Sequence, residues 1–169
     1  MNPEFFTIEQ RKEFGMWPDA DLISRGIIPY IKRMKLDTIT VTIKSDLKGE
    51  NIVDLLENCN KIGKIYYSND YEGTDERVKA AFNKNTQPYA DKIAEVKGKK
   101  VNVVCIDKSA CNAERLAIYY ENLVPGGIFC GNGHESTEVK EALSSFRRGK
   151  KIGTPIDVAN RAVWFWIKR

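Results

Sequence analysis

The chain has 169 residues, 42% of them hydrophobic and 30% charged, which suits one core of the size that serves roughly 100–200 residues. Its 27 basic and 23 acidic residues give a net charge of +4, spread along the chain in a way that does not amount to a nucleic-acid footprint. No apolar run approaches the ~20 residues needed to cross a bilayer, so a soluble, single-domain protein is expected.

From Pro18 to Met34 apolar residues recur at helical spacing, with Ile23, Ile27 and Ile31 on one stripe and Asp19 or Asp21 placed to cap. The segment up to residue 35, with Phe5, Phe6, Phe14 and Trp17, is expected as a leading helical segment ahead of a core over 36–169. The run TITVTI at 38–43 has the β-branched composition of a strand. A polar loop, Lys44 to Gly49, follows it, and a helical pattern starts at Glu50 with Ile52, Leu55, Leu56 and Cys59.

That helix is expected to end at Lys61-Ile62-Gly63, with glycine as its C-cap, and KIYYS then reads as a second strand. Glu72-Gly73-Thr74-Asp75 is a turn and N-cap signal for a helix carrying Val78, Ala81 and Phe82. A short helix is expected from Tyr89 to Val96, leaving little sequence before Val101 for a third strand and its helix. VNVVCID at 101–107 is a near-continuous apolar run, the pattern of a parallel strand covered on both faces.

A helix over 112–123, with Leu116, Tyr119, Tyr120 and Leu123 inward, is stopped by Val124-Pro125-Gly126-Gly127. GIFCG is the next strand, and Thr137 to Arg148 is a helix with Val139, Leu143 and Phe146 on one side. VWFWIK ends the chain as a strand reached without a crossover helix, and is therefore expected to run antiparallel. Strands alternating with helices define an α/β, three-layer, Rossmann-like domain with a mostly parallel sheet.

Cys59, Cys105, Cys111 and Cys130 are irregularly spaced, and two lie in apolar runs. They read as reduced thiols, and together with a charged N-terminus unlike a secretory leader they point to the cytoplasm. No Cys/His spacing suits zinc. The basic cluster Arg147, Arg148, Lys150 and Lys151 reads as a solvated helix end, with phosphate binding as the other reading.

The run VNVVCIDKSACNAERLAIYYENLVPGGIFCGNGHESTEVKEALSSF resembles the order strand, Ile-Asp, helix, Leu-x-Pro-Gly-Gly, strand and Val-Lys-x-Ala helix. That order is similar to class I S-adenosylmethionine-dependent methyltransferases, most closely those grouped as the methyltransferase-24 type. The resemblance implies a cofactor loop after the first strand, here Ser45 and Gly49. It also implies a ribose-binding residue after the second strand, here Asn69 or Asp70, and an acid ending the fourth, Asp107, that faces donor and acceptor.

His134 would serve as a general base toward an acceptor hydroxyl, or else stand as a solvent-exposed loop residue. Asp107 could instead cap the following helix, and Asp70 could be a turn residue. The first glycine loop is degenerate: Thr42 stands in the acidic place and Lys44 in the first glycine's place. A lysine there repels a sulfonium cofactor, so either it points outward or the cofactor is absent or different.

A metal is not expected, since Asn132-Gly133-His134 replaces the metal-dependent relatives' aspartate. The function implied is methyl transfer from S-adenosylmethionine to a small-molecule or sugar hydroxyl. The alternative is a catalytically inactive binding or assembly protein of the same fold. A small-molecule acceptor is the expected partner rather than nucleic acid or membrane, and a homo-oligomer is left open.

Overall fold

The computed structural model describes residues 22–169; the expectations for Phe5, Phe6, Phe14, Trp17 and the caps Asp19 and Asp21 lie outside the described residues. Helix α1 (Ile23–Arg33) is followed by β1 (Ile39–Lys44), α2 (Glu50–Asn58), β2 (Ile62–Ser68) and α3 (Glu76–Thr86). Then come β3 (Ile93–Glu95), β4 (Val101–Ile106), α4 (Ala113–Glu121), β5 (Leu123–Gly131), α5 (Thr137–Gly149), β6 (Asp157–Ala159) and β7 (Val163–Ile167).

The seven strands form one sheet in the order β3-β2-β1-β4-β5-β7-β6. The pairings among β1 to β5 are parallel, and β7 runs antiparallel to both β5 and β6. Successive strands lead outward from β1 in one direction and from β4 in the other. The sheet therefore has its topological switch point between β1 and β4, where open α/β sheets form a ligand crevice.

Side-chain alternation along the strands feeds two cores. On one face Ile39, Val41 and Ile43 of β1 pack with Val103 and Cys105 of β4 under Ile23, Ile27 and Ile31 of α1 and Ile52 and Leu55 of α2. On the other, Val104, Ile106, Phe129, Trp164 and Trp166 pack under Leu116 and Tyr119 of α4 and Val139, Leu143 and Phe146 of α5. The isoleucine stripe of α1 is wholly buried, as its spacing requires.

Several expectations about element ends are corrected. Helix α2 stops at Asn58 with Cys59 as its C-cap, and Gly63 lies inside β2 rather than ending the helix. The stretch from Tyr89 to Val96 is not a helix: a single 3₁₀ turn, Gln87–Tyr89, leads into β3, the short third strand. Helix α4 ends at Glu121, and β5 starts at Leu123, so Pro125 stands within that strand's range. Strand β6 was not foreseen; three residues at a sheet edge give too short a pattern.

Strand register then sets the geometry that matters. Lys44 aligns with Ser68 of β2 and with Ile106 of β4, and Ile106 aligns with Gly131 of β5. The loops after these four strands consequently open on one edge of the sheet.

Candidate functional site

At that edge lies a cavity of about 480 Å³. Its wall comes from Ser45, Asp46, Leu47 and Lys48 after β1, Glu50 and Asn51 of α2, and Thr74 and Val78 at α3. Asp107 and Lys108 after β4, Asn132 after β5 and Leu22 ahead of α1 complete it. Three carboxylates thus face two ammonium groups in one concave space, which favours a cationic ligand group.

The β1–α2 loop is held by its own side chains. Asp46 is buried, and its Oδ1 accepts from the backbone N–H and the side-chain amide of Asn51, both at 3.2 Å, while Oδ2 accepts from Ile52 N at 2.9 Å. The free N–H groups at the start of α2 are thereby satisfied by the chain's own carboxylate. Burial pushes the Asp46 carboxyl up to about 6. Sequence reasoning passed over this residue because an aspartate in a polar loop gives no sign that it will be enclosed.

Asn69 fixes the same loop from β2. Its Oδ1 accepts from Asp46 N at 2.7 Å, and its Nδ2 donates to Asp46 O at 3.1 Å and to the Tyr71 hydroxyl at 2.9 Å. Tyr71 in turn donates to Leu47 O at 2.9 Å, and burial holds its hydroxyl up to about 12, so it stays a donor. Ser45 takes a left-handed backbone with φ 68° and donates its N–H to Ser68 O at 2.9 Å. Such a φ is uncommon for a residue with a side chain, and it marks a backbone the surroundings enforce.

Asp107 follows β4 and caps a 3₁₀ turn, Lys108–Ala110, with Oδ2 accepting from Ser109 N at 3.0 Å and Ser109 Oγ at 2.5 Å. The α4 cap is Asn112, whose Oδ1 accepts from Arg115 N at 2.8 Å. Asn132 donates its Nδ2 to Asp107 Oδ1 at 3.1 Å. One carboxylate therefore carries both a capping bond and a wall position in the cavity.

Ser45 and Asp107 come together in the cavity, whereas Gly49, Asn69, Asp70 and His134 are not part of its wall. Gly49, with φ 75°, lies beside it as the N-cap of α2. Asp70 is exposed and accepts from Glu72 N at 3.0 Å, a turn-forming bond. His134 is half-buried, its N–H donates to Ala162 O at 3.0 Å, and burial holds its imidazole below the usual range. Burial, together with the Asp107 charge, pushes the nearby Cys111 thiol up to about 11, so it is no nucleophile at neutral pH.

Lys44 does not line the cavity. Ile43 enters the core under α1 and α2, so strand alternation sends Lys44 to the opposite face, toward α4. Another cavity of about 480 Å³ opens at the other end of the sheet beside Tyr30, Leu36, Val124, Pro125 and Ile167. Its lining is largely apolar, and none of the strand-end carboxylates or amides reaches it.

No family model matches the chain, and no curated protein matches its sequence. Solved structures do match. Precorrin-6y C5,15-methyltransferase from Geobacter metallireducens superposes with a TM-score of 0.62 at 9% identity, covering 99% of this chain and 94% of that one. The O-methyltransferase NovP gives 0.58 at 12% identity, covering 99% and 90%.

Spermidine synthase from Thermotoga maritima gives 0.57 at 14% identity, covering 79% of this chain and 54% of that one, so the present chain spans about half of that protein's length. At these identities the likeness is one of fold. The fold is the Rossmann-like one found in S-adenosylmethionine-dependent methyltransferases, with an antiparallel strand beside β5.

Proposed function

We propose that the polar cavity binds S-adenosylmethionine and that the chain catalyses methyl transfer to the hydroxyl of a small-molecule or sugar acceptor. The observation that carries this reading is the meeting of Ser45 and Asp107 in a cavity that also contains Asp46 and Glu50, with the Lys44 side chain sent to the other face. The cofactor brings a sulfonium-activated methyl group and an ammonium group. Asp46, Glu50 and Asp107 offset those positive charges, and Ser45 and Asn51 offer hydrogen bonds.

Asp107 is the carboxylate placed to orient the acceptor hydroxyl, and it would receive the proton as the oxygen–methyl bond forms and the methyl–sulfur bond breaks, with S-adenosylhomocysteine as the leaving group. Most of the rate would come from alignment of acceptor oxygen and methyl carbon, because bound proximity is the large contribution in such displacements. In this reading Asn69 holds the cofactor loop rather than the ribose, since its amide is already bonded to Asp46 and Tyr71. Reduced cysteines accord with a cytoplasmic setting.

The second reading, a catalytically inactive binding protein of this fold, draws on the same loop. The Asp46 carboxylate already fills the start of α2, and Asp70 is committed to a turn. Nuclear magnetic resonance of the full chain titrated with S-adenosylhomocysteine separates the two. The methyltransferase reading expects amide shifts at Ser45, Leu47, Asn51, Asp107 and Asn132; unmoved resonances there would favour the second.

A further inference from the structure

We propose that a basic cavity at the far end of the sheet, between the end of α4, the turn after α5 and the end of β7, binds the diphosphate group of a small anionic ligand. This site stands whether or not the chain transfers methyl groups.

The cavity measures about 640 Å³, and its wall includes Tyr120 of α4, Lys150, Lys151 and Thr154 after α5, and Lys168 and Arg169 after β7. It lies beside Leu123, the first residue of β5, because Lys168 Nζ donates to Leu123 O at 2.8 Å. The polar cavity with Asp107 and Asn132 lies past the other end of that nine-residue strand, about 30 Å away at the rise of an extended chain. A ligand held here is therefore a different molecule from one held at Asp107.

Measured contacts gather cations at the end of α4. Lys168 Nζ also donates to Tyr120 O at 2.8 Å and lies 4.4 Å from the Tyr120 ring centre. Lys100 Nζ donates to Glu121 O at 2.5 Å, and Lys150 Nζ pairs with Glu121 Oε1 at 3.1 Å. Capping of the open carbonyls at a helix C-terminus accounts for Lys100 and Lys168. It does not account for Lys151 and Arg169, which stand in the same wall and make no side-chain hydrogen bond or ion pair among the described residues.

Lys151 stands where backbone preference would put glycine. Its φ is 55°, its N–H donates to Arg148 O at 3.2 Å, and Ile152 N donates to Arg147 O at 2.9 Å. These are the two bonds that close a helix through a left-handed residue, a conformation uncommon for any residue with a side chain. The turn is pinned around it: Ile152 and Ile156 pack on the core, and Arg147 donates to Thr154 O and lies 4.7 Å over the Trp166 ring. The N–H groups of Gly153 and Thr154 and the Thr154 hydroxyl donate to no group among the described residues, so the wall holds donors to spare.

Charge sets the class of ligand. Glu121 offsets Lys150, which leaves Lys151, Lys168 and Arg169 as the uncompensated charges of the wall. One phosphate group carries about two negative charges at neutral pH, and two joined groups carry roughly three. A diphosphate thus matches the wall, with the lysines acting as point charges and the arginine as a two-pronged donor.

The test is calorimetric titration of the full chain with inorganic pyrophosphate and with inorganic phosphate, in metal-free buffer at ionic strength held constant with chloride. Pyrophosphate is expected to bind saturably and several-fold more tightly than phosphate. Lys151→Gly should weaken it about two- to fivefold, the range of an exposed ion pair, while unfolding at or above the wild-type temperature because glycine takes this φ without strain. Arg169→Gln should weaken it similarly with an unchanged melting temperature. Arg148→Gln, which removes one charge from the same basic run but outside the wall, should bind as wild type does.

Pyrophosphate that never saturates, Lys151→Gly with wild-type affinity, or an equal loss in Arg148→Gln would each overturn the site. Displacement of pyrophosphate by S-adenosylhomocysteine would overturn it as well, by placing the anion in the other cavity. A single-stranded oligothymidylate that binds more tightly than pyrophosphate would overturn the small ligand in favour of a nucleic-acid backbone.

Discussion

Asn132 donates its Nδ2 to Asp107 Oδ1 at 3.1 Å while its own Oδ1 accepts from Lys108 N at 2.6 Å, so the residue after β5 sets the carboxylate after β4. Its carbonyl in turn accepts from the Trp164 indole at 3.1 Å, which ties the pair to the buried aromatic face of β7. Asn132→Ala should therefore destabilise the fold by about 1 kcal/mol, the cost of removing the acceptor of the part-buried Lys108 N–H. It should also weaken S-adenosylhomocysteine binding about tenfold. Denaturant unfolding and titration of the same variant check both numbers, and an unchanged affinity would detach Asn132 from the site.

Asp46 gives a pH signature. The folded state keeps its proton up to about pH 6, against 3.8 for an unburied aspartate, so between these values the folded chain binds more protons than the unfolded one. The stability this group contributes is full below about pH 3.8 and is lost as the pH rises through 6. Across that window wild type should lose roughly 2–3 kcal/mol relative to Asp46→Asn. Unfolding curves at pH 4, 5, 6 and 7 measure it, and parallel profiles for the two proteins would refute it.

Gly49 tests why the β1–α2 loop needs a glycine at its end. Its φ is 75°, and a Cβ placed there would stand 2.6 Å from Thr86 Cγ2 and 3.4 Å from a Phe82 ring carbon. Gly49→Ala should cost about 1–3 kcal/mol through backbone strain and displacement of α3 from the loop. Thermal unfolding checks the cost. A neutral effect would mean that the loop and α3 move apart freely.

The isoleucine stripe of α1, the apolar run of β4 and the Val139, Leu143 and Phe146 face of α5 were legible because burial on one face imposes a period, and a period survives in sequence. The antiparallel β7 was legible for a related reason: no crossover helix precedes it. Short edge strands were not, since β3 and β6 span too few residues to show alternation. Gly63 misled because glycine marks both helix ends and tight strand packing; here a Cβ would stand 2.6 Å from Thr38 Cγ2.

The site was partly legible. Ser45 and Asp107 occupy strand ends that β1 and β4 bring together at the switch point, and the parallel sheet followed from the alternation of strands and helices. The importance of Asp46 depends on enclosure by α2, Asn69 and Tyr71, a three-dimensional fact without a local signal. The direction of Lys44 was set by a single step of alternation after Ile43, so a one-residue uncertainty in the strand left both faces open.

The central claim is that the acid-walled cavity at the ends of β1 and β4 accepts S-adenosylmethionine. Isothermal titration of the full chain with S-adenosylhomocysteine tests it most directly, with Asp107→Ala alongside. The account predicts saturable binding of one ligand per chain, weakened about tenfold or more in the variant. No saturable heat from wild type, or equal affinity in the two proteins, would contradict it.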